Sequence, residues 1–149
     1  MKKEFMSKAL EQAKKAYEAG EVPVGAVIVK DGKVLASAFN KRESSFDATA
    51  HAEILAIRKA CKKLGDWRLE GAEMFVTLEP CPMCAGAIVN ARIKKVYFGA
   101  YERKSGAVLS NHQLLFHGGL NHKVEAEGGV LEKECSALLK KFFESKREK

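Results

Sequence analysis

The spacing of apolar residues predicts four helices along the chain. In residues 2–19 the apolar side chains recur three or four positions apart, which is typical of a helix with one buried face, and Gly20 follows as a stop signal. Residues 49–64, 82–91 and 131–146 have the same spacing. The inward face of the last helix is predicted to consist of Leu138, Leu139, Phe142 and Phe143.

Short apolar runs predict strands between these helices. Residues 24–29 are almost continuously apolar, as expected for a strand buried on both faces. The pair Asp31-Gly32 is a hairpin turn signal that leads to a second strand over residues 34–39. The remaining strands are predicted over residues 73–78, 95–99 and 123–126.

This order of elements predicts an α/β fold. A hairpin followed by alternating helices and strands indicates a mixed sheet with helices packed on both faces. The hairpin strands should be antiparallel, and the later strands, joined through helices, parallel. Residues 40–49 are polar and predict a loop, whereas residues 101–119 are ambiguous. No repeat or linker interrupts the chain, so we predict one domain over residues 1–149.

Composition and charge narrow the class of protein. The chain is 46% hydrophobic and 30% charged, as is usual for a soluble globular protein. No apolar run approaches the ~20 residues that span a bilayer. The first residues lack the apolar stretch of a secretory signal, so we expect a cytoplasmic protein. A net charge of +7 favours an anionic partner such as nucleic acid, although many basic proteins bind none.

Two cysteines at the start of a predicted helix indicate half of a metal site. Cys81 and Cys84 lie three residues apart, so both face one side of the first helical turn. Pro82 suits the first helical position, which places Cys81 at the cap. The helix dipole favours thiolate there, and two thiolates suit zinc. The other two cysteines, Cys61 and Cys135, are predicted to be small buried hydrophobes.

His51 supplies a third candidate ligand. Structural zinc sites usually have four protein ligands, whereas catalytic sites have three and leave a position for water. Whether another histidine approaches the metal stays open at this point. The candidates are His112, His117 and His122.

Glu53 indicates which reaction the predicted metal site could support. At the end of a helix, Glu53 and His51 can both point towards one water, whose pKa zinc would lower. Glu53 would accept its proton and pass it to a departing nitrogen. An H-x-E segment followed by P-C-x-x-C is the signature of zinc deaminases that act on nucleobases. A structural zinc clip or a thioredoxin-like dithiol is the alternative, and neither needs Glu53.

With these motifs, the chain resembles the bacterial tRNA-specific adenosine deaminases, a branch of the cytidine deaminase-like superfamily. Superfamily members that act on free guanine share the HAE and EPCPMC segments, but GEVPVGA, LNHKVE and the last helix resemble the tRNA branch. The stretches that carry the resemblance are residues 20–29, 49–58, 77–88, 92–100, 120–125 and 128–143.

The resemblance implies a fold, a reaction and a partner. The fold would be three-layer α/β/α and cytidine deaminase-like, with a mixed five-stranded sheet. One Zn²⁺ per subunit would bind His51, Cys81 and Cys84, with Glu53 as the proton shuttle. The substrate would be the wobble adenosine of an ACG anticodon in a tRNA stem-loop, converted to inosine by a homodimer.

The resemblance also assigns substrate contacts. Asn40, Glu102 and Lys104 would contact the substrate. The family usually has aspartate where this chain has Glu102, and glycine directly before the serine that is Ser110 here. Where the family usually has Asp-Pro before the threonine of the HAE segment, this chain has Asp-Ala, so a loop proline is missing.

Two points of function stay open. Lys146 and Arg147 in the basic tail would touch RNA phosphates, or else they only solvate the helix end. The rival functions are a deaminase of a free base or nucleoside, such as guanine or cytidine, and a noncatalytic zinc-stabilised RNA-binding module. The noncatalytic module predicts four protein ligands around the metal, and a deaminase predicts three.

Overall fold

The computed structural model describes residues 1–111, 113–116 and 122–147. Within them the elements are α1 (Lys2–Glu18), β1 (Gly25–Lys30), β2 (Lys33–Phe39), α2 (Ala52–Leu64), β3 (Glu73–Leu78), α3 (Pro82–Asn90), β4 (Lys95–Ala100), a 3-10 turn (Leu114–Phe116), β5 (Glu125–Glu127) and α4 (Glu132–Arg147). Each predicted helix and strand is present. The largest change of boundary is at α2, which begins at Ala52 rather than residue 49, because His51 has an extended backbone. None of these helices is long and apolar enough to cross a membrane.

The five strands form one mixed sheet in the order β2-β1-β3-β4-β5. β1 pairs antiparallel with both β2 and β3, whereas β3 pairs parallel with β4, and β4 with β5. The predicted antiparallel hairpin and the parallel later strands are therefore confirmed. Asp31 and Gly32 both have positive φ, 52° and 75°, which is the backbone of the tight hairpin turn that their sequence predicts.

Side chains alternate between the two faces of the sheet and give it two separate cores. On one face, strand residues such as Val27 and Phe75 pack with α1 and α4. On the other face, strand residues such as Ile28 and Met74 pack with α2 and α3. Burial of one such side chain stabilises the fold by about 1.5–3 kcal/mol. The three-layer α/β/α arrangement follows from this alternation.

One predicted core residue is on the surface. Phe142 is buried and its ring lies 6.0 Å from that of Tyr17, edge to face. Phe143 is 45% exposed, so its predicted inward orientation is wrong. Neighbouring positions on a helix point about 100° apart, and with the Phe142 ring against Tyr17 of α1 the Phe143 ring lies towards solvent.

The sheet brings two helix starts to one edge. β2 and β3 run in the same direction because each is antiparallel to β1, which lies between them. α2 follows β2 in the chain and α3 follows β3. Both helices therefore begin near the carboxyl ends of these strands, which is where open α/β sheets usually bind their ligands.

Candidate active site

The starts of α2 and α3 position three candidate metal ligands. His51 directly precedes α2 and Cys81 directly precedes α3, and each has an extended backbone. Pro82 is the first residue of α3, as predicted, and Cys84 lies in its first turn. Residues that are about 30 positions apart in the chain are thus brought together.

The spacing of these ligand atoms fits zinc. His51 Nδ1 lies 3.7 Å from Cys81 Sγ and 3.6 Å from Cys84 Sγ. Tetrahedral zinc, with bonds of about 2.1 Å to nitrogen and 2.3 Å to sulfur, separates those atoms by about 3.6 Å. Over the described ranges, these residues are the only three His, Cys, Asp or Glu side chains close enough together to hold one ion.

The other histidines add no ligand to this group in the described part of the chain. His122 Nε2 lies 2.8 Å from the carbonyl oxygen of Ile93, beyond the carboxyl end of α3 and thus at the far end of that helix from Cys81. His112 and His117 lie outside the described residues. The described geometry thus offers three protein ligands.

Hydrogen bonds among these three residues favour the thiolate form of Cys81. The Cys84 thiol and His51 donate towards Cys81, and although burial opposes them they lower the pKa of Cys81 to about 4. The hydrogen bond between Cys84 and Cys81, together with burial, raises the pKa of Cys84. The hydrogen bond between His51 and Cys81 raises the pKa of His51. The positive ends of two helix dipoles add to this preference for negative charge.

Glu53 lies in the first turn of α2 and is only 4% exposed. Burial raises its pKa to about 7, and the nearby Cys81 charge adds to this, while a hydrogen bond from its own amide and the charge of His51 oppose it. A carboxyl group with that pKa can accept and release a proton near neutral pH.

A cleft of about 620 Å³ opens onto His51, Cys81 and Glu53. This volume is in the range of small-molecule sites. Of the remaining predicted site residues, Asn40, Glu102 and Lys146 line the cleft. Lys104 has an exposed side chain on the same loop as Glu102 but does not line the cleft. Arg147 is the last residue of α4, and its side chain lies outside the described part of the structure.

Asn40 links the cleft to the start of α2. Its Oδ1 accepts a hydrogen bond from the Ala52 amide at 2.8 Å. That amide is one of the unpaired donors at the helix start, which the His51 side chain does not cap. The Nδ2 amide of Asn40 is a donor that the residue can offer to a ligand.

Two buried carboxyls of the cleft are absent from the residues that the sequence predicts for the site. Glu21 and Glu79 line the cleft and are 1% and 2% exposed. Burial raises the pKa of each carboxyl, but hydrogen bonds, mostly from loop amides, outweigh it and hold both below the usual value. The available signal was a glutamate at the edge of an apolar run, in GEVPVGA and in LEPC.

The remaining cysteines stand apart from the metal group. Cys135 is buried, which raises the pKa of its thiol to about 12 and confirms the prediction. Cys61 is only half-buried, with Sγ 3.4 Å from the carbonyl oxygen of Trp67.

Comparison with known proteins gives consistent matches. The chain matches the MafB19-like deaminase family over residues 1–147. It is 52% identical over 145 residues to the tRNA-specific adenosine deaminase of Bacillus subtilis, covering 97% of this chain and 90% of that protein. A solved structure from a study of A-to-I editing by tRNA:A34 deaminases superposes with a TM-score of 0.88 at 46% identity, covering 91% of this chain and 98% of that one. A guanine deaminase from Nitrosomonas europaea shares the fold, with a TM-score of 0.78 at 22% identity over 94% of this chain and 83% of that one. The expected cytidine deaminase-like fold is confirmed by these structures.

The three-ligand group predicts a specific metal content. Purified protein is expected to hold about one zinc per chain, and Cys81→Ser is expected to lose most of it because one of three ligands is weakened. Cys61→Ser is the matched control, since Cys61 is also half-buried but lies outside the group. Elemental analysis after desalting measures both. Equal zinc in the two variants would contradict the assignment.

Proposed function

The chain belongs to the MafB19-like deaminase family and, within it, to the tRNA-specific adenosine deaminases, and on this premise we propose that residues 1–149 form one zinc-dependent domain that converts the wobble adenosine of a tRNA anticodon loop to inosine. The observation that carries the proposal is the buried Glu53 carboxyl beside a three-ligand group that opens onto the cleft.

The reaction is a hydrolysis in which one bond forms and one breaks. Zinc, held by His51, Cys81 and Cys84, would activate water by lowering its pKa. Water oxygen adds to the ring carbon that bears the amino group, and the carbon–nitrogen bond to that group then breaks. Glu53 would accept one proton from the water and deliver it to the ring nitrogen of the base, and it would then pass the remaining hydroxyl proton to the amino group, which leaves as ammonia. Burial of Glu53 supports this role, because it makes the protonated form accessible.

The cleft also supports a nucleoside substrate. Asn40 would donate from Nδ2 to the target nucleoside, and Glu102 would face the substrate from the opposite loop. A base within a folded RNA reaches such a cleft only if it is splayed out of its loop. We propose that Lys104, on the surface beside Glu102, contacts the RNA rather than the base.

Positive side chains at the mouth of the cleft suit an RNA backbone. Arg42 and Lys146 line it, and Lys146 Nζ lies 5.4 Å from the centre of the Phe142 ring. The end of α4 therefore reaches the cleft, which supports a phosphate contact over a purely solvated helix end. Arg147 would add a second phosphate contact.

We propose that the protein acts as a homodimer. The outer side of α3 is apolar: Met83 is 37% exposed, and a side chain added at Gly86 would meet nothing within 4 Å. Such a surface next to Cys84 suits a second copy of the chain. We further propose that it acts in the cytoplasm, where thiol ligands stay reduced.

The first prediction concerns Glu53. Glu53→Gln keeps the shape of the side chain but cannot shuttle a proton, so kcat for inosine formation in an ACG anticodon stem-loop should fall by about 10²–10⁴-fold. Zinc content should stay at the wild-type level. Nucleoside analysis of the digested RNA measures the product.

The control is Glu73→Gln, which makes the same glutamate-to-glutamine change at the first residue of β3, outside the cleft. It should leave inosine formation intact. If folded, zinc-containing wild-type protein makes no inosine, the tRNA assignment is wrong. Free guanine and cytidine are then the substrates to test. If neither is turned over, the noncatalytic zinc-stabilised RNA-binding module is the remaining function.

A second prediction concerns the basic end of α4. Replacing Lys146 and Arg147 together by alanine should weaken stem-loop binding and reduce the slope of log affinity against log salt by up to about two, because each lysine or arginine on a phosphate releases about one counterion. Filter binding at several salt concentrations measures this. An unchanged slope would show that these side chains do not touch phosphates.

A third prediction concerns the outer side of α3. Met83→Glu puts a charge on the proposed subunit interface and should turn a dimer into a monomer, as measured by light scattering. Lys133→Glu, which changes an exposed position on α4, should remain dimeric. A wild-type protein with the mass of one chain would rule out the homodimer.

A further inference from the structure

Three glutamates are buried in the described structure, and all three line the cleft: Glu21, Glu53 and Glu79. A buried carboxylate is destabilising unless hydrogen bonds replace its lost water. The proposed chemistry uses Glu53 alone. The burial of Glu21 and Glu79 therefore needs another explanation.

Glu79 is the centre around which one loop folds. Its Oε1 accepts hydrogen bonds from the Glu102 amide at 3.1 Å and from the Ser110 hydroxyl. Its Oε2 accepts from three successive amides, those of Val108 at 3.2 Å, Leu109 at 2.7 Å and Ser110 at 2.8 Å. Both ends of the loop over residues 102–110 are thus tied to one carboxylate.

The middle of this loop also lies against Glu79. A Cβ added at Gly106 would come within 2.5 Å of both Cδ and Oε1 of Glu79. The Ala107 amide donates to the Pro80 carbonyl oxygen at 2.9 Å, directly after Glu79 in the chain. This loop carries Glu102 and Ser105, which form one wall of the cleft.

Glu21 holds a second loop in the same way. Its Oε1 accepts from the Glu43 amide at 3.0 Å, and its Oε2 from the Ser44 amide at 2.7 Å. The loop over residues 41–47 carries Arg42 and Glu43, which also line the cleft. Neither loop contains a strand or an α-helix, so these hydrogen bonds replace the order that regular structure would give.

We propose that Glu21 and Glu79 are positioning residues that fix the two rim loops of the cleft and so determine how well it binds a large substrate. The inference rests on the proposed function. The metal ligands and Glu53 lie on or beside α2 and α3, whereas four other residues of the cleft lining lie on the two loops: Arg42, Glu43, Glu102 and Ser105. Loosening a loop therefore adds an ordering cost to substrate binding and leaves the reacting groups in place.

The test compares Glu21→Gln and Glu79→Gln with the control Glu73→Gln. Glutamine keeps the shape but presents an NH₂ group to donors that need an acceptor. Glu73 carries the same substitution on β3, where it accepts from the Tyr97 hydroxyl at 3.2 Å, away from the cleft. Each variant is measured for zinc content, for amide hydrogen exchange, and for kcat and KM on the ACG stem-loop.

Each variant should loosen only its own loop. In Glu79→Gln the amides of residues 108–110 should exchange at least about tenfold faster, and in Glu21→Gln those of residues 43 and 44 should do so. KM for the stem-loop should rise about tenfold in both, while kcat and zinc content change little. Glu73→Gln should match the wild type in all four measurements.

Two results would overturn the inference. One is faster exchange in the loop with an unchanged KM, and the other is a loss of zinc and kcat at constant KM, which would mean that the carboxylates support the metal site.

If Glu79→Gln does not fold, Ser110→Ala removes only the hydroxyl donor and should raise KM by a smaller factor, and an unchanged KM there also counts against the inference. A wild type that forms no inosine contradicts the proposed function instead, and the exchange measurements still test whether the carboxylates hold the loops.

Discussion

The amino ends of α2 and α3 meet beside the carboxyl ends of β2 and β3, and their aligned peptide dipoles favour negative charge there. The cysteine sulfur atoms of the metal group lie at this point, and so does the Glu53 carboxyl. The meeting depends on the sheet, because β1 lies antiparallel between β2 and β3 and makes them run in one direction. The α/β/α layers thus fix the ligand spacing with rigid elements, and the loops are left to form the walls of the cleft.

The three buried glutamates have different environments, and these indicate different roles. Burial raises the pKa of all three carboxyls, and only at Glu53 do hydrogen bonds fail to outweigh it, so the pKa of Glu53 is raised. The two carboxyls that accept hydrogen bonds from loop amides have lowered pKa values, which favours their charged form. A proton carrier needs the first environment, and an anchor for backbone amides needs the second. Under the proposed function, the hydrogen bonding of each carboxylate would thus separate the residue that carries protons from those that position the loops.

Much of this arrangement follows from local sequence. Apolar periodicity located the helices and strands, Asp31-Gly32 located the hairpin turn, and the spacing of Cys81 and Cys84 around Pro82 located the start of α3. The strand order and the loop anchors did not follow, because they depend on contacts between distant parts of the chain. Glu79 accepts from residues more than 20 positions away, and no local pattern records such a bond. The inward orientation predicted for Phe143 is wrong because two adjacent phenylalanines fit a helical apolar pattern equally well.

The most direct test of the account is a crystal structure of the zinc-loaded protein, with anomalous scattering at the zinc edge to locate the ion. We expect one zinc per chain, bound by His51 Nδ1 and by the sulfur atoms of Cys81 and Cys84, with an oxygen that is not from the protein as its fourth ligand and the Glu53 carboxyl within hydrogen-bonding distance of that oxygen. A fourth protein ligand would make the site a closed structural one and would contradict the proposed chemistry. A zinc ion bound elsewhere would contradict it as well.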